Sequence, residues 1–137
     1  MKSIAFINNE VQKRMSASMR MTGFSAFEMG YANGYVAIPP GHPLHGLDYD
    51  KVYDVADISV WGGLTFASEK SECQWDIACI EVIGDGSFDD IPQDWWVFGF
   101  DTMHYNDGPH HDRDWCIQET KQLQLQLDAI KAKPEPE

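Results

Sequence analysis

Residues 95–100 read Trp-Trp-Val-Phe-Gly-Phe, a nearly unbroken apolar run of strand length. A run of that length, too short for a typical helix and rich in aromatic and β-branched residues, fits a strand buried on both faces. Such a strand needs partners on either side and cover above and below, so it predicts a central strand. Other segments offer the partners. Tyr35-Val36-Ala37-Ile38 is strand-like and ends at Pro39-Pro40, since proline removes a ladder donor. Ile58 to Phe66 reads as a further strand, with Gly62-Gly63 as a bulge or a close approach of backbone or ligand. Trp75 to Val82 partly alternates and closes at Gly84-Asp85-Gly86. Adjacent Trp95 and Trp96 must then face opposite sides of the sheet.

The last element is different. Cys116, Leu123, Leu127 and Ile130 fall at helical spacing, and Asp112 or Asp114 is suited to accept from the first free N–H groups. A helix over Cys116–Lys131 is predicted, although Leu123 to Leu127 also alternates as a strand would. A shorter helix is predicted over Glu10–Met19. Strands followed by a helix give an α+β fold, a mainly antiparallel sheet with the C-terminal helix packed on one face. The chain divides into a variable segment 1–30, one domain over 31–131 and a disordered tail 132–137.

The 137 residues are 43% hydrophobic and 12% aromatic, enough to fill one core without staples. Cys73, Cys79 and Cys116 are odd in number and contain no C-x-x-C pair, which argues against a disulfide framework or a zinc ribbon. No apolar run reaches membrane-spanning length, and Asn8, Asn9 and Glu10 interrupt any signal-peptide core. A cytoplasmic location is expected.

Charge is unevenly placed. Of the net −12, residues 48–114 carry −13, sixteen Asp and Glu against Lys51, Lys70 and Arg113. Such a middle repels a phosphate backbone, so direct nucleic-acid binding is not expected. It suits a basic protein partner, or a surface that imitates nucleic acid. Asp85, Asp89, Asp90 and Asp94 are, with Trp61, the candidate binding surface.

One loop has the groups for chemistry. Asp101, His104 and Asp107 follow the apolar run, and His42 lies in the turn after Pro39-Pro40. Carboxylates and imidazole together hold divalent metals, and a metal-bound water is a nucleophile at neutral pH. The spacing fits no closed zinc signature, and the alternative is that Asp101 and His104 hold loop backbone. If the site is real, His42 and Asp101 should meet at one end of the sheet. Cys116 near a helix start is a candidate thiolate, against the commoner role of a buried structural thiol. No nucleophile elbow, phosphate loop or dinucleotide fingerprint is present.

The blocks Gly34-Tyr35-Val36-Ala37-Ile38-Pro39-Pro40-Gly41-His42-Pro43-Leu44-His45-Gly46, Gly62-Gly63-Leu64-Thr65-Phe66 and Trp95-Trp96-Val97-Phe98-Gly99-Phe100-Asp101-Thr102-Met103-His104-Tyr105-Asn106-Asp107 occur in that order. In them the chain resembles a family of small bacteriophage and prophage proteins that carries no assigned activity. The resemblance spans residues 31–127 and implies a phage-type origin. Relatives tend to have His where this chain has Trp61, and small residues where it has Met103 and Tyr105. If that His is a ligand, this chain has lost it. The expectation is therefore a small acidic accessory protein that acts by binding. It would inhibit a host defence or nucleic-acid-processing protein, or capture a small ligand, and needs no cofactor. The alternative is a metal-dependent hydrolase built on Asp101, His104 and Asp107.

Overall fold

The computed structural model describes residues 3–15, 30–103 and 110–130. Within them five strands make one sheet: β1 (Ile4–Asn8), β2 (Asn33–Ile38), β3 (Phe66–Glu69), β4 (Ile80–Ile83) and β5 (Trp96–Phe100). Their order is β3-β5-β2-β1-β4, and every neighbouring pair is antiparallel. Three helices accompany them: α1 over residues 10–15, α2 (Tyr49–Val55) and α3 (Arg113–Asp128). The fold is α+β, with α3 lying across β1 and β2. No described helix is long and apolar enough to cross a membrane.

The sheet is buried on both faces, which explains why its central strands read as continuous apolar runs. On the helix side Val36, Ile38, Phe98 and Phe100 pack with Leu123 and Leu127 of α3. On the other side Phe6, Tyr35, Ala37 and Val97 pack with Phe88, Ile91 and Trp95. That second layer is the segment joining β3 to β5 around β4, with its three single-turn helices, Lys70–Glu72, Ile77–Cys79 and Phe88–Asp90. Aromatic rings fill it. Phe6 stacks on Tyr35 with centroids 5.3 Å apart, and Trp75 lies 4.6 Å from Tyr35. Each such ring removed from water contributes roughly 1.5–3 kcal/mol. Trp95 and Trp96 do take opposite sides: Trp95 is buried in the aromatic layer, while Trp96 packs toward the helix side and donates its Nε1–H to Leu47 O at 2.9 Å.

Two predicted elements need correction, and one strand is not predicted. Ile58–Phe66 is not a strand; β3 begins only at Phe66. Ile58 and Leu64 are buried against the helix side, but the backbone between them bonds to side chains instead of a neighbouring strand. Ser59 N–H donates to Gln126 Oε1 and Gln126 Nε2 donates back to Ser59 O, both at 2.7 Å, while Trp61 N–H donates to Glu119 Oε1. Gly62-Gly63 is a tight turn and not a bulge, with φ of 68° and 79° that only glycine adopts without strain. Trp75–Val82 is a strand only from Ile80, because the Asp76 carboxylate accepts from Ala78 N–H and winds Ile77–Cys79 into a turn.

The unpredicted strand is β1. No strand is predicted before Tyr35, yet Ile4–Asn8 sits between β2 and β4 inside the sheet. Residues 10–15 are helical as expected, and residues 16–19 of that predicted helix lie outside the described residues. The C-terminal helix begins earlier than its apolar stripe, at Arg113, because Asp112 caps it by accepting from Trp115 N–H at 2.9 Å.

Candidate functional site

An antiparallel sheet sends successive strand ends to opposite sides. The β2–β5 register pairs Ile38 with Trp96 and Gly34 with Phe100. His42, just after β2, is therefore at one end, and Asp101, just after β5, is at the other. The length of β5 alone separates them by on the order of 15 Å. The shared site expected of His42 and Asp101 does not form. His104 and Asp107 lie outside the described residues, and among the described residues no three His, Cys, Asp or Glu side chains are grouped to hold a metal.

His42 instead pins its loop to α3. Its Nδ1 accepts from Leu44 N–H at 3.0 Å, which leaves the proton on Nε2 to donate to Leu127 O at 2.7 Å. Leu127 O lies in the last turn of α3, where it also accepts from Ile130 N–H at 3.2 Å. His42→Ala should therefore lower stability by about 1–3 kcal/mol, through two bonds lost at partly buried groups. Urea denaturation reads this directly, and a loss below about 0.5 kcal/mol would show that the pin contributes little.

At the far end Asp101 accepts from Met103 N–H at 3.1 Å and shapes the turn that leaves β5. Around it lies a buried polar network that the sequence does not announce. Gln12 Nε2 donates to Asn33 Oδ1 at 2.5 Å; the same oxygen accepts from Thr102 N–H, and Thr102 Oγ1 donates to Ala32 O at 2.9 Å. This ties α1, β2 and the chain after β5 together, although Gln12 Oε1 is buried without a partner among the described residues. Only the single Asn, Gln and Thr that carry it, far apart in sequence, would have signalled it.

The cysteines lean to structural roles. Cys116 is fully buried, its thiol directed at Ala32 O. Burial pushes the Cys73 thiol up to about 11, away from thiolate reactivity. Trp61 is exposed, and its ring packs on His111 and Trp115 near the start of α3. That is the Asp101 end, so Trp61 does not share a surface with the candidate carboxylates.

Those carboxylates gather at the opposite end. The segment between β4 and β5 leaves and re-enters the sheet there, and Asp85, Asp89, Asp90 and Asp94 are all exposed along it. Phe88, Ile91 and Trp95 anchor it in the core, and Asp90 accepts from Ser87 N–H at 2.9 Å. His45 donates Nε2–H to Asp94 O and ties in the loop that carries Asp48. Glu69, opposite Trp96 in the β3–β5 register, and exposed Glu72 lie at the same end. Lys70, a basic residue in their midst, is buried, with its ammonium 4.6 Å from the Phe88 ring centre. Among the described residues none of these carboxylates forms an ion pair.

The molecule is thus an α+β protein polarised along its strands, acidic at one end and mixed in charge at the other. No protein-family model, curated protein or solved structure matches the chain.

Proposed function

We propose that this chain acts by binding, with its acidic end capturing a basic surface on a protein partner. The observation that carries the reading is the set of seven carboxylates, Asp48, Glu69, Glu72, Asp85, Asp89, Asp90 and Asp94, held at one end of the sheet and without ion pairs among the described residues. Like charges fixed together repel one another, and a partner rich in Lys and Arg relieves that repulsion while steering its own approach. Proteins that handle nucleic acid carry such surfaces, spaced to meet phosphates. In the phage-type setting that the sequence blocks suggest, the partner is a host defence or nucleic-acid-processing protein whose site the carboxylates occupy.

The test is a triple reversal, Asp85→Lys, Asp89→Lys and Asp94→Lys, which spares Asp90 because it holds the Ser87 backbone. The full chain is immobilised and offered host lysate, with salt and duplex DNA as competitors. Retained proteins should bind nucleic acid, leave with rising salt and be displaced by DNA. At about 1 kcal/mol per reversed charge, the variant should bind such a partner about 100-fold more weakly. Retention indifferent to salt and to all three reversals would overturn the reading. So would a chelator-sensitive activity lost in a folded His104→Ala variant.

A further inference from the structure

At the end of the sheet away from the carboxylates a cavity of about 320 Å³ opens beside β1 and β4. It is at the low end of the roughly 300–1,000 Å³ typical of small-molecule sites. Its walls come from three places. Across the β1–β4 pairing Ile7 lies opposite Glu81 and Asn8 opposite Ile80, α1 brings Lys13, and Tyr31 stands before β2. Asn9 N–H donates to Cys79 O at 3.1 Å and joins the start of α1 to the turn before β4.

Two charges of opposite sign share these walls. Lys13 makes no ion pair among the described residues, although Arg14 beside it is taken by Glu10. This cation faces the cavity. The anion is Glu81. Arg113 grips it in a fork, Nε donating to Oε1 at 3.0 Å and Nη2 to Oε2. The grip fixes the carboxylate, and each oxygen keeps acceptor capacity for a further donor. The exposed ring of Tyr31 lines the same cavity.

We propose that this cavity binds a small zwitterion, a free α-amino acid with an apolar side chain. Its carboxylate meets Lys13, its ammonium meets Glu81, and its side chain rests on the exposed ring of Tyr31. Other ligand classes fit worse. A simple anion meets Glu81 and the negative field of the whole chain. A simple amine leaves Lys13 facing a like charge, and an apolar molecule strips water from both charges without pairing either. A zwitterion carries no net charge into the field and pairs both walls. The site is independent of the acidic end.

Calorimetry on the full chain tests this with L-leucine and L-phenylalanine, alongside N-acetyl-leucine, which lacks the ammonium, and leucinamide, which lacks the carboxylate. The free amino acids should bind saturably and both derivatives about tenfold or more weakly, the effect of losing one charged hydrogen bond. Lys13→Met and Glu81→Gln should each weaken L-leucine binding by a similar factor while the circular dichroism spectrum is kept. The Asp85, Asp89 and Asp94 reversals should leave it unchanged. Cys79 supplies a second readout, since it lines the cavity while Cys116 is sealed in the core and burial raises the Cys73 thiol. Its alkylation by iodoacetamide should slow when L-leucine is present. N-acetyl-leucine binding as tightly as L-leucine overturns the proposal, as does the absence of both saturable heat and thiol protection.

Discussion

Alanine at Gly34 should destabilise the protein by about 3 kcal/mol, at the upper end of what overpacking a core usually costs. The reason is the seat of α3 on the sheet. A methyl group at Gly34 would come 2.2 Å from Thr120 Oγ1 and 2.3 Å from Phe100 Cε1. Neither neighbour has room to retreat. Thr120 is fully buried and its hydroxyl donates to Cys116 O at 2.6 Å, while Phe100 is packed between β2 and the helix. Gly99→Ala makes the same demand on the opposite face, where its methyl would meet Tyr35 Cδ1 at 2.4 Å. Gly41→Ala is the control, since nothing lies within 4 Å of its added carbon. Urea midpoints should fall steeply for Gly34→Ala and Gly99→Ala and barely move for Gly41→Ala. Combining Gly34→Ala with Thr120→Ala should cost less than the sum of the two, because removing Oγ1 clears one of the two clashes. A Gly34 midpoint close to the Gly41 value would mean that α3 sits more loosely than its contacts indicate.

What the sequence made legible follows how each element satisfies its backbone and its faces. β5 could be read because burial on both sides leaves an apolar run with no alternation to misjudge. α3 could be read because its stripe and its Asp112 cap agree. β1 is the same kind of strand as β5, with Ala5 and Ile7 on one side and Phe6 on the other, but its apolar run is only the four residues Ile4-Ala5-Phe6-Ile7 and lacks a turn signal ahead of it. Residues 58–64 show the opposite failure. Their apolar residues reach the core as a strand's would, yet Gln126 and Glu119 side chains supply the partners that another strand would have given. Nothing in the local sequence distinguishes those two kinds of partner. The expected meeting of His42 and Asp101 failed for a topological reason. Both follow strands, but antiparallel neighbours end on opposite sides, and only knowledge that β2 pairs β5 reveals it. The same topology brings Asp48, Glu69, Asp85 and Asp94 to one end, so the charge run visible in sequence becomes a surface only through strand order.

Stability should also fall steeply in alkali, because Tyr35 keeps its proton in the folded state. Burial pushes its phenol from 10.0 up to about 12; the bond from Asn33 lowers it somewhat, and nearby Cys73, Asp101 and Glu10 raise it. An unfolded chain releases that proton near 10, and the folded chain holds it until about 12. Below the first value both states are protonated, and the full contribution is present. Between the two only the unfolded state has ionised, so each pH unit removes about 1.4 kcal/mol of stability, close to 3 kcal/mol in all. Cys73, raised from 9.0 to about 11, acts in the same direction from a lower pH, by less because its thiol is partly exposed. Tyr35→Phe isolates the larger effect. It keeps the ring against Phe6 and Trp75 and removes only the hydroxyl, whose bond from Asn33 is long at 3.4 Å. At neutral pH the variant should lie within about 1 kcal/mol of the parent. Urea unfolding repeated up to pH 12 should then show the parent losing ground on the variant between 10 and about 12, until Tyr35→Phe is the more stable protein. Two curves that stay parallel across that interval would mean that the phenol reaches solvent in the folded state, and that the aromatic layer over β1 and β2 is more open than its ring contacts imply.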